Sequence, residues 1–460
     1  MTVPLLHSIV ASLSLVSTPP AQTEGDGAAA APQRRPSDPQ DVYKDPEQPL
    51  DQRIEKEKLT EYDPPPLPEQ VMLPLPPSFR IAGQPEQVPI SRAHWEKARR
   101  AIDEGMGYLR STQGPGGEWL GDARIAPTDD PNRPSPVAVA VTALAIKALV
   151  QADPDAASDE GLRRALRYVL AARSDDGSFD RSNLANYVTA AVMSALASIQ
   201  SDDLRDYLQE GCEWLVVKQW DQSEGLAARQ DWFGGAGYGN RRRPDLSNTQ
   251  MLLDALYDAG MSPDEPACQR ALAFVSRAQN LKATNKAKWA GNDGGFVYTP
   301  ANGGESMASE AAGEGRRGEK IVVGQPRSLR SYGSMTYAGF KSMLYAGLSP
   351  DDIRVRAAFD WIRRHWTFDE NPGLGQQGLY YYYHTMARAL AVSQQTMVTD
   401  IDGVAHNWRQ ELIDALLARR REDGSWQNSA DRWLESEPVM ATIYAVLALE
   451  ETLKPVEEAE

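Results

Sequence analysis

From Trp408 to Arg420 (WRQELIDALLARR), apolar side chains fall at Trp408, Leu412, Ile413, Leu416 and Leu417, the spacing of a helix with one apolar face. Glu422-Asp423-Gly424-Ser425-Trp426 then reads as a turn, and Pro438 to Leu449 (PVMATIYAVLAL) is apolar nearly all round. The same order recurs upstream. LRRALRYVLAAR leads through DDGSFD to NYVTAAVMSALASI, CEWLVVKQW through FGGAGYGN to NTQMLLDALYDAG, and CQRALAFVSRAQ through NDGGFVY to MTYAGFKSMLYAGL. Tyr108-Leu109 before GPGGEWL, and VRAAFDWIRRHW before NPGLGQQGLYYYYHTMARAL, open two further copies. One register runs through all six second helices, at Thr142, Thr189, Thr249, Thr336, Thr385 and Thr442, with a small residue six positions later each time. Self-similarity of this kind marks a repeat fold. The residues just before each Thr form a ring of Val141, Val188, Asn248, Met335, His384 and Ala441, polar only at Asn248 and His384.

An amphipathic helix alternating with a wholly apolar one predicts two concentric layers, the apolar helices inside. Six hairpins with no polar capping repeat predict an all-α, α6/α6 toroid with the inner-helix N-termini at one mouth. An open α-solenoid would use the same patterning. Ser135-Pro136, and Ser436 with Pro438, place helix-start residues before two inner helices. Residues 280–331 interrupt the fourth unit, and a long insertion reads either as loose surface or as a lid.

Composition changes the picture at the N-terminus and at the surface. The 41% hydrophobic fraction supplies a sizeable core, and a formal net charge of −16 argues against a nucleic-acid partner. No run approaches the ~20 apolar residues of a membrane span. Residues 1–22 have an apolar centre and small residues after it, the pattern of a secretion signal without its basic start, so export is expected. Residues 23–88, rich in Pro and charge, read as a disordered linker. The repeat domain is expected over 89–455. Cys212 and Cys268 have no disulfide-framework or metal spacing and read as small buried hydrophobes.

The DGGF, DGSF and DGSW turns between helices resemble the prenyltransferase and squalene-oxidase repeat, the toroid shared by class II terpenoid cyclases and protein prenyltransferase β-subunits. In the prenyltransferases an Asp, a Cys and the His of a Tyr-His-Thr bind zinc. Tyr383-His384-Thr385 fits the His element, but Tyr332 and Ser334 stand at the other two positions, and one imidazole with hydroxyls is a poor Zn²⁺ set. In the cyclases the middle Asp of Asp-x-Asp-Asp-Thr protonates an alkene or epoxide. Here the segment is Asp245-Leu246-Ser247-Asn248-Thr249, with a hydroxyl where the acid would be. The resemblance therefore implies a hydrophobic or isoprenoid-like ligand in a central cavity, with no metal and no cofactor.

His384 reads either as a buried core histidine or as a functional group. The catalytic candidates are His384, Asp245 and Glu437. Asn248, Tyr332, Tyr337, Tyr380, Tyr383, His384, Trp232 and Arg243 are candidates for lining a ligand site, with the aromatics suited to apolar or cationic ligands. Arg241 to Arg243 precede an inner-helix start, a place for an anion or simply a solvated loop. Asp400-Ile401-Asp402-Gly403 reads as a turn. Two further readings stay open: an active transferase or cyclase using these non-standard residues, and a scaffold whose outer face or acidic linker binds protein.

Overall fold

The computed structural model describes residues 88–128, 132–153, 156, 159–239, 242–308 and 328–454. The expected signal, the linker up to residue 87, and Arg241 lie outside the described residues. Among these residues are twelve α-helices: α1 (Arg92–Ser111), α2 (Pro136–Ala152), α3 (Glu160–Leu170), α4 (Ala185–Ile199), α5 (Arg205–Val217), α6 (Leu246–Asp258), α7 (Pro266–Arg277), α8 (Gly333–Tyr345), α9 (Ile353–Arg364), α10 (Leu379–Val392), α11 (Trp408–Leu417) and α12 (Pro438–Leu453). The even-numbered helices are buried almost throughout, whereas the odd-numbered ones bury one face. Each even helix packs on the next, and α12 returns to α2. The ring is closed, a six-hairpin α/α toroid, and the open solenoid is ruled out.

The recurring threonine register has a physical cause that concerns the fold. Thr142, Thr189, Thr249, Thr336 and Thr442 accept, through Oγ1, the backbone N–H of Trp119, Phe179, Ala236, Phe296 and Trp426 at 3.0–3.1 Å. Each hydroxyl thus ties the aromatic turn of its hairpin to the inner helix and satisfies a buried donor. Gln113, Gln219 and Gln279 add a second tie. Each side-chain amide donates to a turn carbonyl (Gly117, Gly234, Gly294) and to a carbonyl at the start of the next outer helix (Gly161, Ala267, Arg354). At the closure, Gly424, at φ 82°, lies where a Cβ would come within 2.9 Å of the Glu104 carbonyl oxygen, so the last turn abuts the first outer helix.

Two short hairpins were not foreseen. β1 (Ala236–Gly237) pairs antiparallel with β2 (Pro244–Asp245), and β3 (Met397–Thr399) with β4 (Ala405–Asn407). The turn expected at Asp400 joins β3 to β4, with its carboxylate accepting Asp402 and Val404 N–H groups. The insertion splits into two parts. Residues 280–308 are folded, with Asn280 and Asn285 bonded to backbone carbonyls and Trp289 packed with Ala287, Ala290 and Val297, while residues 309–327 lie outside the described residues. Cys212 and Cys268 are both free and buried, and burial pushes both thiols up to about 12.

Candidate functional site

The N-termini of α6, α8 and α10 converge at one mouth of the ring, and each is met by a buried acceptor. Asp245, the residue before α6, accepts Asn248 N–H at 2.7 Å and the Asn248 amide at 2.8 Å. Asn371 Oδ1 accepts Ser334 N–H on α8 at 3.0 Å. Glu435 accepts Tyr381 N–H at 2.8 Å, Tyr380 N–H at 3.3 Å and the Asn428 amide at 2.6 Å. Free helix N–H groups and the helix dipole explain why acceptors gather there. Burial nevertheless pushes both Asp245 and Glu435 up to about 7, against the hydrogen bonds that favour their charged forms. Trp433 and Leu434 take left-handed backbone (φ 63° and 61°), a costly conformation for residues with side chains, just before Glu435 reaches α10.

Ser247 lies one step inside this mouth. Tyr187 donates to its Oγ at 2.8 Å. Tyr187 packs on Tyr238 at 5.1 Å, and Tyr238 meets Tyr298 through their hydroxyls at 3.3 Å. Asn248 accepts from Asn186 on α4. Tyr332, before α8, is fully buried and close enough to Asp245 and Tyr381 to feel their charge. A serine hydroxyl among tyrosines can accept and donate hydrogen bonds, but it cannot serve as a strong acid.

Deeper in the ring the axis is crossed directly. Gln250 on α6 donates to Tyr381 on α10 at 2.6 Å, and Lys147 on α2 reaches Asp258 on α6 at 2.6 Å. Lys341 bonds both oxygens of Asp254 at 2.7 and 2.8 Å, with both side chains fully buried. Arg388 joins Tyr345, Glu451 and Asp258 near the opposite end. His384 sits between these levels, stacked on Tyr444 at 5.6 Å. It is buried, but not as a carbonyl-bonded core histidine: neither ring nitrogen has a hydrogen-bond partner.

Several expected lining residues point elsewhere. Tyr380 donates to the Gln427 carbonyl and Tyr383 to the Phe368 carbonyl, so both face the outer layer. Successive helical residues diverge by about 100°, and of the four tyrosines it is Tyr381 that crosses the axis. Tyr337 packs edge-on against Tyr382 between neighbouring helices. Trp232 belongs to a separate cluster with Trp220, Leu226, Phe233 and Ala301. Arg243 pairs with Glu305 at 2.6 Å. Glu437, before α12, is half-buried and makes no cap bond, and the carboxylate at the mouth is Glu435 instead. Asp245, Asn248 and Tyr332 do gather with Ser247. The donors do not suit zinc: Ser334 is held by Asn371, and no three of His, Cys, Asp and Glu converge among the described residues.

Residues 123–298 match the squalene-hopene cyclase C-terminal domain, a span that contains Ser247, Tyr187, Tyr238 and Tyr298. A drimenyl diphosphate synthase from Streptomyces showdoensis is 28% identical over 194 residues, 42% of this chain and 33% of that protein. The chain thus spans about a third of the curated relative it matches. Among solved structures, the type II terpene cyclase MstE from Scytonema, bound to merosterolic acid A, aligns with TM-score 0.46 and 10% identity over 79% of this chain and 99% of that one. An α-1,6-mannanase from Salegentibacter sp. aligns with TM-score 0.49 and 9% identity over 78% and 98%. Residues 123–298 are thus similar to the squalene-hopene cyclase C-terminal domain and, in part, to the synthase.

Proposed function

We propose that this protein binds a hydrophobic, isoprenoid-class ligand within its ring and does not initiate cyclisation by protonation. The observation that supports this most is Ser247. By the resemblance it stands where the cyclase acid would be, inside the matched span, and is held by Tyr187 in a buried aromatic setting suited to isoprenoid chains. Asp245 is not a substitute acid, because its two oxygens are engaged by Asn248 and it serves as the α6 cap. Glu435 is committed to α10 in the same way.

Equilibrium binding of squalene and of geranylgeranyl diphosphate to the purified chain tests the binding half of this reading. Saturable binding of at least one, weakened when Tyr187 or Tyr381 is changed to Ala, is expected. No binding of either would refute it. Export belongs to the same reading and is supported by the apolar stretch of residues 1–22. N-terminal sequencing should then find a processed terminus on protein from the cell envelope or medium, and an intact Met1 on cytoplasmic protein would contradict export.

A further inference from the structure

Between the mouth and the charged end of the ring, two buried polar side chains are left short of partners. His384 is fully buried with both Nδ1 and Nε2 unbonded, and its ring lies nearly parallel to Tyr444, 16° apart in plane. One turn earlier on α10, Tyr381 takes the Gln250 Nε2 bond, which leaves Gln250 Oε1 without a partner although that side chain is also fully buried. Turning the amide over would exchange donor for acceptor and still leave one polar atom unbonded. Tyr381 and Tyr444 meet edge to face at 5.9 Å. Gln250, Tyr381, Tyr444 and His384 are therefore one continuous wall. Each such atom has lost its bonds to water, and unpartnered atoms of two side chains on one wall can be complemented by a polar group of a ligand.

Charge narrows that ligand. Burial first, and then the nearby Lys341, hold His384 well below the usual histidine range, so its ring is neutral and offers one N–H and one acceptor. Lys341 is itself matched by both oxygens of Asp254. A diphosphate would meet no unmatched cation on this wall, and at the mouth it would meet the acceptors Asp245 and Glu435. A hydroxyl, by contrast, donates one bond and accepts others, which a neutral imidazole and a free amide atom complement.

We propose that His384 and Gln250 form a subsite for the neutral hydroxyl of an isoprenoid alcohol, so that the ring prefers the alcohol to the matching hydrocarbon or diphosphate. This rests on the isoprenoid-binding reading above. The test is equilibrium binding of geranylgeraniol, geranylgeranyl diphosphate and the hydrocarbon phytane to the full chain and to His384→Phe, His384→Gln and Gln250→Met. The wild-type chain should bind the alcohol about tenfold more tightly than the hydrocarbon, the effect of roughly one good buried hydrogen bond. His384→Phe keeps the aromatic stack and should lose the preference while holding the hydrocarbon as before. His384→Gln restores a donor and an acceptor and should keep part of it, and Gln250→Met should reduce it. Equal binding of alcohol and hydrocarbon by the wild-type chain, or tightest binding of the diphosphate, would overturn the subsite and leave the isoprenoid reading standing. Binding of none of the three would overturn both.

Discussion

Lys341 and Asp254 meet inside the ring, fully buried, with the ammonium bonded to both carboxylate oxygens. Removing one partner of such a pair strands a charge, so Lys341→Met should lower unfolding free energy by about 3–5 kcal/mol, read by urea denaturation. Lys341→Met with Asp254→Leu should recover most of that loss, because two apolar groups need no partner. Glu435 and Asp245 contribute to the pH dependence. Their folded values are raised to about 7 from ordinary values of 4.5 and 3.8, so the folded chain binds more protons than the unfolded chain between about pH 4 and 7. Stability should therefore fall as pH rises through that window, by up to about 1.4 kcal/mol per pH unit for each group. Glu435→Gln should flatten the slope, and a slope unchanged in the variant would remove Glu435 from the account. These residues were only partly legible in the sequence. Lys147, Asp254 and Lys341 lie five positions after their threonines, single charges in apolar runs, and could have been paired from that register. Glu435 could not, because the left-handed backbone at Trp433 and Leu434 decides that it, rather than Glu437, reaches α10.

At the scale of the element, the Thr and Gly positions that reveal the repeat are structural. They were legible because the tie they make, turn N–H to inner-helix hydroxyl, recurs in the same local geometry. Thr249→Val keeps the shape and leaves the Ala236 N–H unpaired, which should cost about 1–3 kcal/mol in a denaturant titration. Gly294→Ala should cost at least as much, since φ is 87° and the new Cβ would run into the Ala357 carbonyl. The direction of each tyrosine in Leu379–Val392 was not legible. Four in succession must point four ways, and only the position of the neighbouring helices decides that Tyr381 crosses the axis while Tyr380 and Tyr383 reach outer-layer carbonyls.

For the whole molecule, closure of α12 onto α2 makes a ring whose inner helices bring Ser247, Gln250, Tyr381 and His384 together from distant parts of the chain. The ring itself follows from pattern, whereas contacts across it depend on side-chain length and helix rotation that no periodicity encodes. The proposed function turns on Ser247. A hydroxyl does not transfer a proton to an alkene at a useful rate, so on that proposal the ring binds isoprenoids without starting a cation. The direct measurement is product analysis by mass spectrometry after incubating the purified chain with squalene and with geranylgeranyl diphosphate, alongside Ser247→Asp. Both compounds should be recovered unchanged from the wild-type chain, whatever Ser247→Asp gains. Cyclic product from the wild-type chain, lost on Asp245→Asn, would contradict the account and assign the acid to Asp245.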